Sequence, residues 1–142
     1  MRRRLTVRRE SWPLNRPFAI SRGVKTEAEV VVAEIRDADT MGRGECVPYA
    51  RYGETWEGVV AAISAQAVAV ADGLDREVLR RELTPGAARN ALDAALWDLD
   101  AASTGRTVWE TAGIPCVDGS LLARGFFDGD AELVGAAMCP AC

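Results

Sequence analysis

Three stretches of this 142-residue chain carry side chains suited to gripping or transforming a small molecule. The first is Arg22, set between Ser21 and Gly23. A guanidinium holds a carboxylate through two parallel N–H bonds, and an adjacent glycine lets the backbone turn sharply around it. The competing reading is a solvated surface arginine, which most arginines are. The second stretch is Pro48-Tyr49-Ala50-Arg51-Tyr52-Gly53-Glu54, where Tyr49 and Tyr52 have rings able to wall a ligand or simply to pack the loop. Glu45, just before it, reads as structural. The third is Asp93 and Asp98, five residues apart and therefore on different faces of a helix. That spacing favours structural roles, with Asp93 paired to Arg89, over a shared metal.

Two absences narrow the chemistry. The chain has no histidine, so it contains neither a Ser-His-Asp triad nor a histidine-ligated metal. Lys25 is its single lysine, so no mechanism that needs two lysines is complete within these residues. Cys139 and Cys142 have the C-x-x-C spacing, but zinc would need a second pair, and a redox motif belongs between a strand and a helix. The pair reads as an accident of where the reading frame stops, and Cys46 and Cys116 read as reduced thiols. With a net charge of −4 there is no basic field for nucleic acid. No run is apolar enough to span a bilayer, and no apolar stretch follows the basic Met1-Arg2-Arg3-Arg4 to make a signal peptide. The expected location is cytoplasmic, with no nucleic-acid or membrane partner.

The elements that must position these residues are legible from periodicity. Leu5 to Trp12 alternates as a strand, ended by Pro13, and Asn15 to Lys25 reads as a loop. Glu27 to Arg36 is the strongest strand: Val31, Ala33 and Ile35 form one face, while Val30 and Val32 begin another that turns polar at Glu34 and Arg36. After a turn at Asp37-Ala38-Asp39-Thr40, Met41 to Val47 returns, with Gly42 and Gly44 permitting close approach. The three strands should form an antiparallel meander. A helix is expected from Thr55 to Ala71, with Trp56, Val60, Ile63, Ala67 and Val70 in one stripe, and a short helix capped by Asp75 follows. The next helix has Ala88, Ala91, Leu92, Ala95, Leu96 and Leu99 on one face. Thr84 is its expected N-cap, Pro85 its first residue and Gly105 its stop. A short helical turn lies near Val108 to Thr111. Strands followed by helices define an α+β arrangement.

The string Pro85-Gly86-Ala87-Ala88-Arg89-Asn90-Ala91-Leu92-Asp93-Ala94-Ala95-Leu96-Trp97-Asp98-Leu99, continued by Val108-Trp109-Glu110 and Gly113, resembles a signature of the enolase superfamily. Within it, the chain is similar to the muconate lactonizing enzyme subgroup and its dipeptide epimerases. Ala102 and Thr111 depart from the usual basic or amide residue and leucine. Pro17-Phe18-Ala19-Ile20-Ser21-Arg22-Gly23 resembles the mobile capping loop of these epimerases, and the Tyr49–Tyr52 loop resembles their second capping loop.

The resemblance implies an enolase-like N-terminal capping domain over residues 1–113. Residues 114–142 are expected to be a truncated or frame-shifted beginning of the TIM-like (β/α) barrel. In such enzymes the barrel supplies a Lys-x-Lys, a further lysine and three acidic Mg²⁺ ligands. The reaction they carry out moves a proton at the carbon α to a carboxylate in dipeptides of the L-Ala-D/L-Glu type. The resemblance assigns Arg22, Ile20, Tyr49 and Tyr52 to substrate binding, with Arg22 on the acidic side chain, and no catalytic or metal-ligating residue to this chain. Mg²⁺ belongs to the full-length family and is not expected on this chain alone, which should be inactive by itself. The implied partner is a small acidic dipeptide, and assembly into a homo-oligomer is left open. Alternatives are a fragment of a muconate cycloisomerase or N-acylamino acid racemase, or a free-standing non-enzymatic binding module.

Overall fold

A computed structural model describes residues 2–20 and 23–113; the side chain of Ile20 is not included. The expectations for residues 114–142, including Cys116, Cys139 and Cys142, lie outside the described residues. The chain divides into a first compact unit, Met1–Gly105, and a second that begins at Arg106.

The first unit begins with an antiparallel sheet of order β1-β2-β3, formed by β1 (Arg4–Ile20), β2 (Gly23–Asp37) and β3 (Thr40–Cys46). The meander is as expected, but its first hairpin is longer. Pro13 does not end β1, which resumes pairing at Phe18↔Lys25, Ala19↔Val24 and Ile20↔Gly23 after a register shift between Pro13 and Phe18. The physical reason is position: β1 is an edge strand, where a proline's missing N–H costs no ladder bond. The segment expected to be a loop is therefore mostly a two-stranded ribbon.

Both faces of β2 are buried from Val30 to Ile35, but with different surroundings: Val30 and Val32 lie outside the main core, on the face that carries Glu34. Val31, Ala33 and Ile35 are fully buried in the main core. On the opposite face a chain of alternating charges crosses all three strands. Arg36 pairs with Glu34 at 3.2 Å, Glu34 with Arg8, Arg8 with Glu10 at 2.5 Å, and Glu10 with Arg43 at 2.9 Å. Glu34 is only 7% exposed, and its two arginine partners compensate that burial.

Among the described residues five α-helices follow: α1 (Trp56–Ser64), α2 (Ala67–Ala71), α3 (Arg76–Glu82), α4 (Ala87–Thr104) and, in the second unit, α5 (Val108–Thr111). The single helix expected from Thr55 to Ala71 is two. Ser64 Oγ donates back to the Val60 carbonyl at 2.7 Å, and Gln66 N–H bonds three residues back to Ile63 at 3.0 Å. Back-bonding of this kind bends a helix, and the tighter turn ends α1. Asp75 caps α3 as expected, accepting from Val78 N–H at 2.8 Å. In α5, Thr107 and Glu110 form a reciprocal capping box.

The signature helix α4 buries Ala91, Leu92, Ala95, Leu96 and Leu99 against the sheet. Its approach to β3 is as close as the glycines suggested. A Cβ on Gly42 would stand 2.1 Å from the Ala95 carbonyl oxygen, and one on Gly44 would stand 2.1 Å from that of Ala91. Two α4 side chains also cover the outer edge of β3. Asp98 accepts from Arg43 N–H at 2.8 Å, and Asn90 Nδ2 donates to the Glu45 carbonyl at 3.4 Å, which blunts an edge that would otherwise template another strand. Arg89 does not pair with Asp93. It reaches the carbonyls of Arg80 and Leu83, at 3.5 and 3.4 Å, where the carbonyls ending α3 lack helical donors.

Candidate functional site

The residues singled out for ligand contact fall on two segments at the borders of the sheet. Arg22 lies outside the described residues; in the sequence it falls between Ile20 and Gly23, the last pair of the β1–β2 ribbon. Ile20 is the last residue of β1, paired with Gly23. The flanking ribbon is exposed: Phe18 is 58% and Val24 65% accessible.

The second segment leaves β3 at Cys46 and is short and heavily bonded. Cys46 and Pro48 are buried and anchor its start. Burial, helped by the nearby Glu54 and Glu45 charges, pushes the Cys46 thiol up to about 11, which makes it an inert packing group. A 3₁₀ turn over Ala50–Tyr52 is closed by Tyr52 N–H to the Tyr49 carbonyl at 2.9 Å and Gly53 N–H to that of Ala50 at 3.0 Å. Gly53 sits at φ 75°, in the left-handed region that favours glycine. The turn brings the Tyr49 and Tyr52 rings together, centroids 5.7 Å apart and tilted by 40°. Both rings are exposed, 45% and 77%, so they present an aromatic wall to solvent and do not fill the core.

Sequence reasoning missed Glu54. Its carboxylate accepts from Tyr49 N–H at 2.8 Å and from Ala87 N–H, at the start of α4, at 2.6 Å. The N-cap expected at Thr84 is not used: α4 begins at Ala87, and the residue before it is Gly86, which has no side chain to offer. Nothing in the sequence signalled this, because Thr84 stood there as a local cap; only the observed start at Ala87 leaves an acceptor to come from elsewhere. Beside Glu54, Thr55 caps α1 by accepting from Gly58 N–H at 3.0 Å. Arg9 lies over the Trp56 ring at 4.5 Å and pairs with Glu29 at 2.6 Å, tying α1 to both strands of the ribbon's base. The loop, α1 and the start of α4 border an open groove of about 590 Å³ that includes Tyr52, Glu54 and Gly86.

Among the described residues no group of three His, Cys, Asp or Glu side chains is placed to hold a metal ion. Asp98 is engaged with the β3 backbone, and Asp100, two residues on, with Arg76. No helix among them is long and apolar enough to cross a membrane.

This arrangement, a long-armed meander under a glycine-seated helix, matches a known domain over residues 2–113: the mandelate racemase / muconate lactonizing enzyme, N-terminal domain. The chain belongs to that family, within the enolase superfamily. It is 46% identical over 112 residues to the L-Ala-D/L-Glu epimerase of Escherichia coli (strain K12), an alignment covering 79% of this chain and 35% of that enzyme. Among solved structures it is similar to an enolase family member from Agrobacterium tumefaciens with homology to dipeptide epimerases, determined with bound sodium and L-Ala-L-Glu. The TM-score there is 0.74 at 43% identity, covering 86% of this chain and 41% of that one. It is also similar to the dipeptide epimerase from Methylococcus capsulatus complexed with Mg and the dipeptide L-Arg-D-Lys, with a TM-score of 0.64 at 35% identity, covering 80% and 35%. The chain thus spans about a third of the length of these epimerases. Its three-stranded sheet and helices form the N-terminal capping domain of the family.

Proposed function

We propose that this chain is the capping part of a Mg²⁺-dependent dipeptide epimerase acting on dipeptides of the L-Ala-D/L-Glu type. The reading rests above all on the 46% identity to the Escherichia coli epimerase, which extends over 112 residues and 79% of this chain. In this reading residues 1–113 cover the active site and residues 114–142 begin the barrel. Arg22 holds the acidic side chain of the substrate, with Ile20, Tyr49 and Tyr52 lining the same site. Covering a site excludes water, and excluding water strengthens each charge interaction inside.

Catalysis itself is assigned elsewhere. Removing a proton α to a carboxylate needs a poised base and stabilisation of the new negative charge. Lys25, the only lysine, is an exposed ribbon residue paired with Phe18, and the described acidic residues do not converge on a cation position. The described residues therefore do not fit Mg²⁺, and the metal and the base are assigned to the barrel.

The test is isotope exchange. In D₂O with Mg²⁺ and L-Ala-L-Glu, the purified 142-residue chain should introduce no deuterium at the glutamate α-carbon above a metal-free blank. A chimera joining residues 1–113 to the barrel of the Escherichia coli enzyme should introduce it. Exchange by the chain alone would overturn the division of labour, and a folded chimera inert on every dipeptide would overturn the epimerase reading.

A further inference from the structure

We propose that Glu54 is a positioning residue: it fastens the Tyr49–Tyr52 turn to the N-terminus of α4 and so holds the aromatic wall in place. The proposal rests on the reading of that wall as part of a dipeptide site.

Both carboxylate oxygens are committed, each to a different piece of backbone. Oε2 accepts from Tyr49 N–H at 2.8 Å, and Oε1 accepts from Ala87 N–H at 2.6 Å. The Ala87 N–H is one of the four at a helix start that have no acceptor within the helix, and negative charge is favoured there. Side-chain caps normally come from the residue just before the helix. Here that residue is Gly86, which makes no side-chain cap, and the carboxylate enters through the space its missing side chain leaves. A Cβ on Gly86 would lie 2.8 Å from Glu54 Oε1.

The bonds on either side of Glu54 give the contact its reach. The 3₁₀ turn links Tyr49 to Tyr52 and Ala50 to Gly53, and the Thr55 cap starts α1 directly after Glu54. The turn is therefore closed on itself, and Glu54 is the group that ties it to α4. Glutamine cannot replace it. An amide offers one acceptor oxygen, and its NH₂ would face a second N–H donor to donor.

The test uses E54Q, G86A and the double variant. On the 142-residue chain, amide exchange followed by NMR should be roughly tenfold faster or more at Tyr49 and Ala87 in E54Q. G86A should produce the same acceleration at Ala87, because it expels the carboxylate while leaving it in the chain. The double variant should exchange no faster at Ala87 than E54Q, since both changes remove one contact. Unchanged exchange in E54Q, or additive effects in the double variant, would overturn the proposal. If E54Q fails to fold, unchanged exchange at Ala87 in G86A would overturn it. In the barrel chimera, E54Q should raise KM for L-Ala-L-Glu about tenfold and leave kcat within about twofold, the pattern of lost ground-state binding. A fall in kcat at unchanged KM would signal lost active protein and would overturn the positioning role. A wild-type chimera that does not act on L-Ala-L-Glu would defeat the functional reading instead, and the exchange result, which needs no turnover, would still decide whether Glu54 holds the turn.

Discussion

The two border segments of the capping domain are built in opposite ways. The Tyr49–Tyr52 turn is pinned at every joint: buried Cys46 and Pro48 behind it, two backbone bonds within it, and Glu54 and Thr55 after it. The ribbon leading to Arg22 is joined by only three residue pairs beyond the register shift, and its described flanks are exposed. From Phe18 to Thr26, no side-chain hydrogen bond forms among the described residues. The base of the same ribbon, by contrast, is stitched by Arg8, Glu10, Arg9 and Glu29. One segment is thus held by the domain and fixed in shape. The other, over its described flanks, is paired through backbone alone and is exposed.

The comparison is broken most severely at the platform under the pinned turn. Gly44→Val would drive a side chain into the Ala91 carbonyl, parting β3 from α4. It should cost about 3 kcal/mol or more, or prevent folding, as read from urea denaturation. A midpoint near that of the wild type would mean the close seat of α4 can shift to accommodate a side chain.

At Arg22 the cost should fall on substrate and not on stability. In the barrel chimera, Arg22→Ala should lose roughly 2–5 kcal/mol in kcat/KM for Ala-Glu, and Arg22→Lys should recover only part of it. A dipeptide with an apolar second residue should be nearly unaffected. Equal losses on both dipeptides would show that Arg22 orders the ribbon without reading the side chain.

The stitched base of the ribbon should give the sheet an acid-sensitive component. Arg8, by hydrogen bonding first and by its charge, holds the Glu10 and Glu34 carboxyls below their ordinary range. Both are acids whose folded values are depressed, so their contribution to stability is present above the ordinary value near 4.5 and is lost as pH falls through the depressed values. Urea midpoints taken from pH 7 downward should therefore fall below about pH 4.5, and Glu34→Gln should lower the neutral-pH midpoint while flattening the acid slope. An unchanged slope would mean the charge chain contributes nothing.

The smallest effect belongs to the exposed flank. Val24→Thr should alter stability by no more than about 0.5 kcal/mol, and a larger loss would show that the flank is packed after all.

Much of this contrast was visible in the amino-acid order. The period-two pattern of Val31, Ala33 and Ile35 assigned the buried face of the sheet, and the alanine-rich stripe of α4 together with Gly42 and Gly44 announced a close helix seat. The Asp75 cap was equally plain. All of these are short-range regularities, in which residue types repeat at the spacing of the element they build. What only the tertiary structure decided has no such period. Pro13 reads as a stop, and only its place on an edge strand lets β1 continue to Ile20. Arg89 reads as a partner for Asp93 one turn away, yet the end of α3 offers it carbonyls instead. Glu54 carries no mark in its own neighbourhood, because its two partners, Tyr49 and Ala87, belong to segments that meet only when α4 settles onto the sheet. Local sequence determines which element a residue joins. A hydrogen bond between distant segments depends on where packing brings their backbones, and that is decided only in the folded chain.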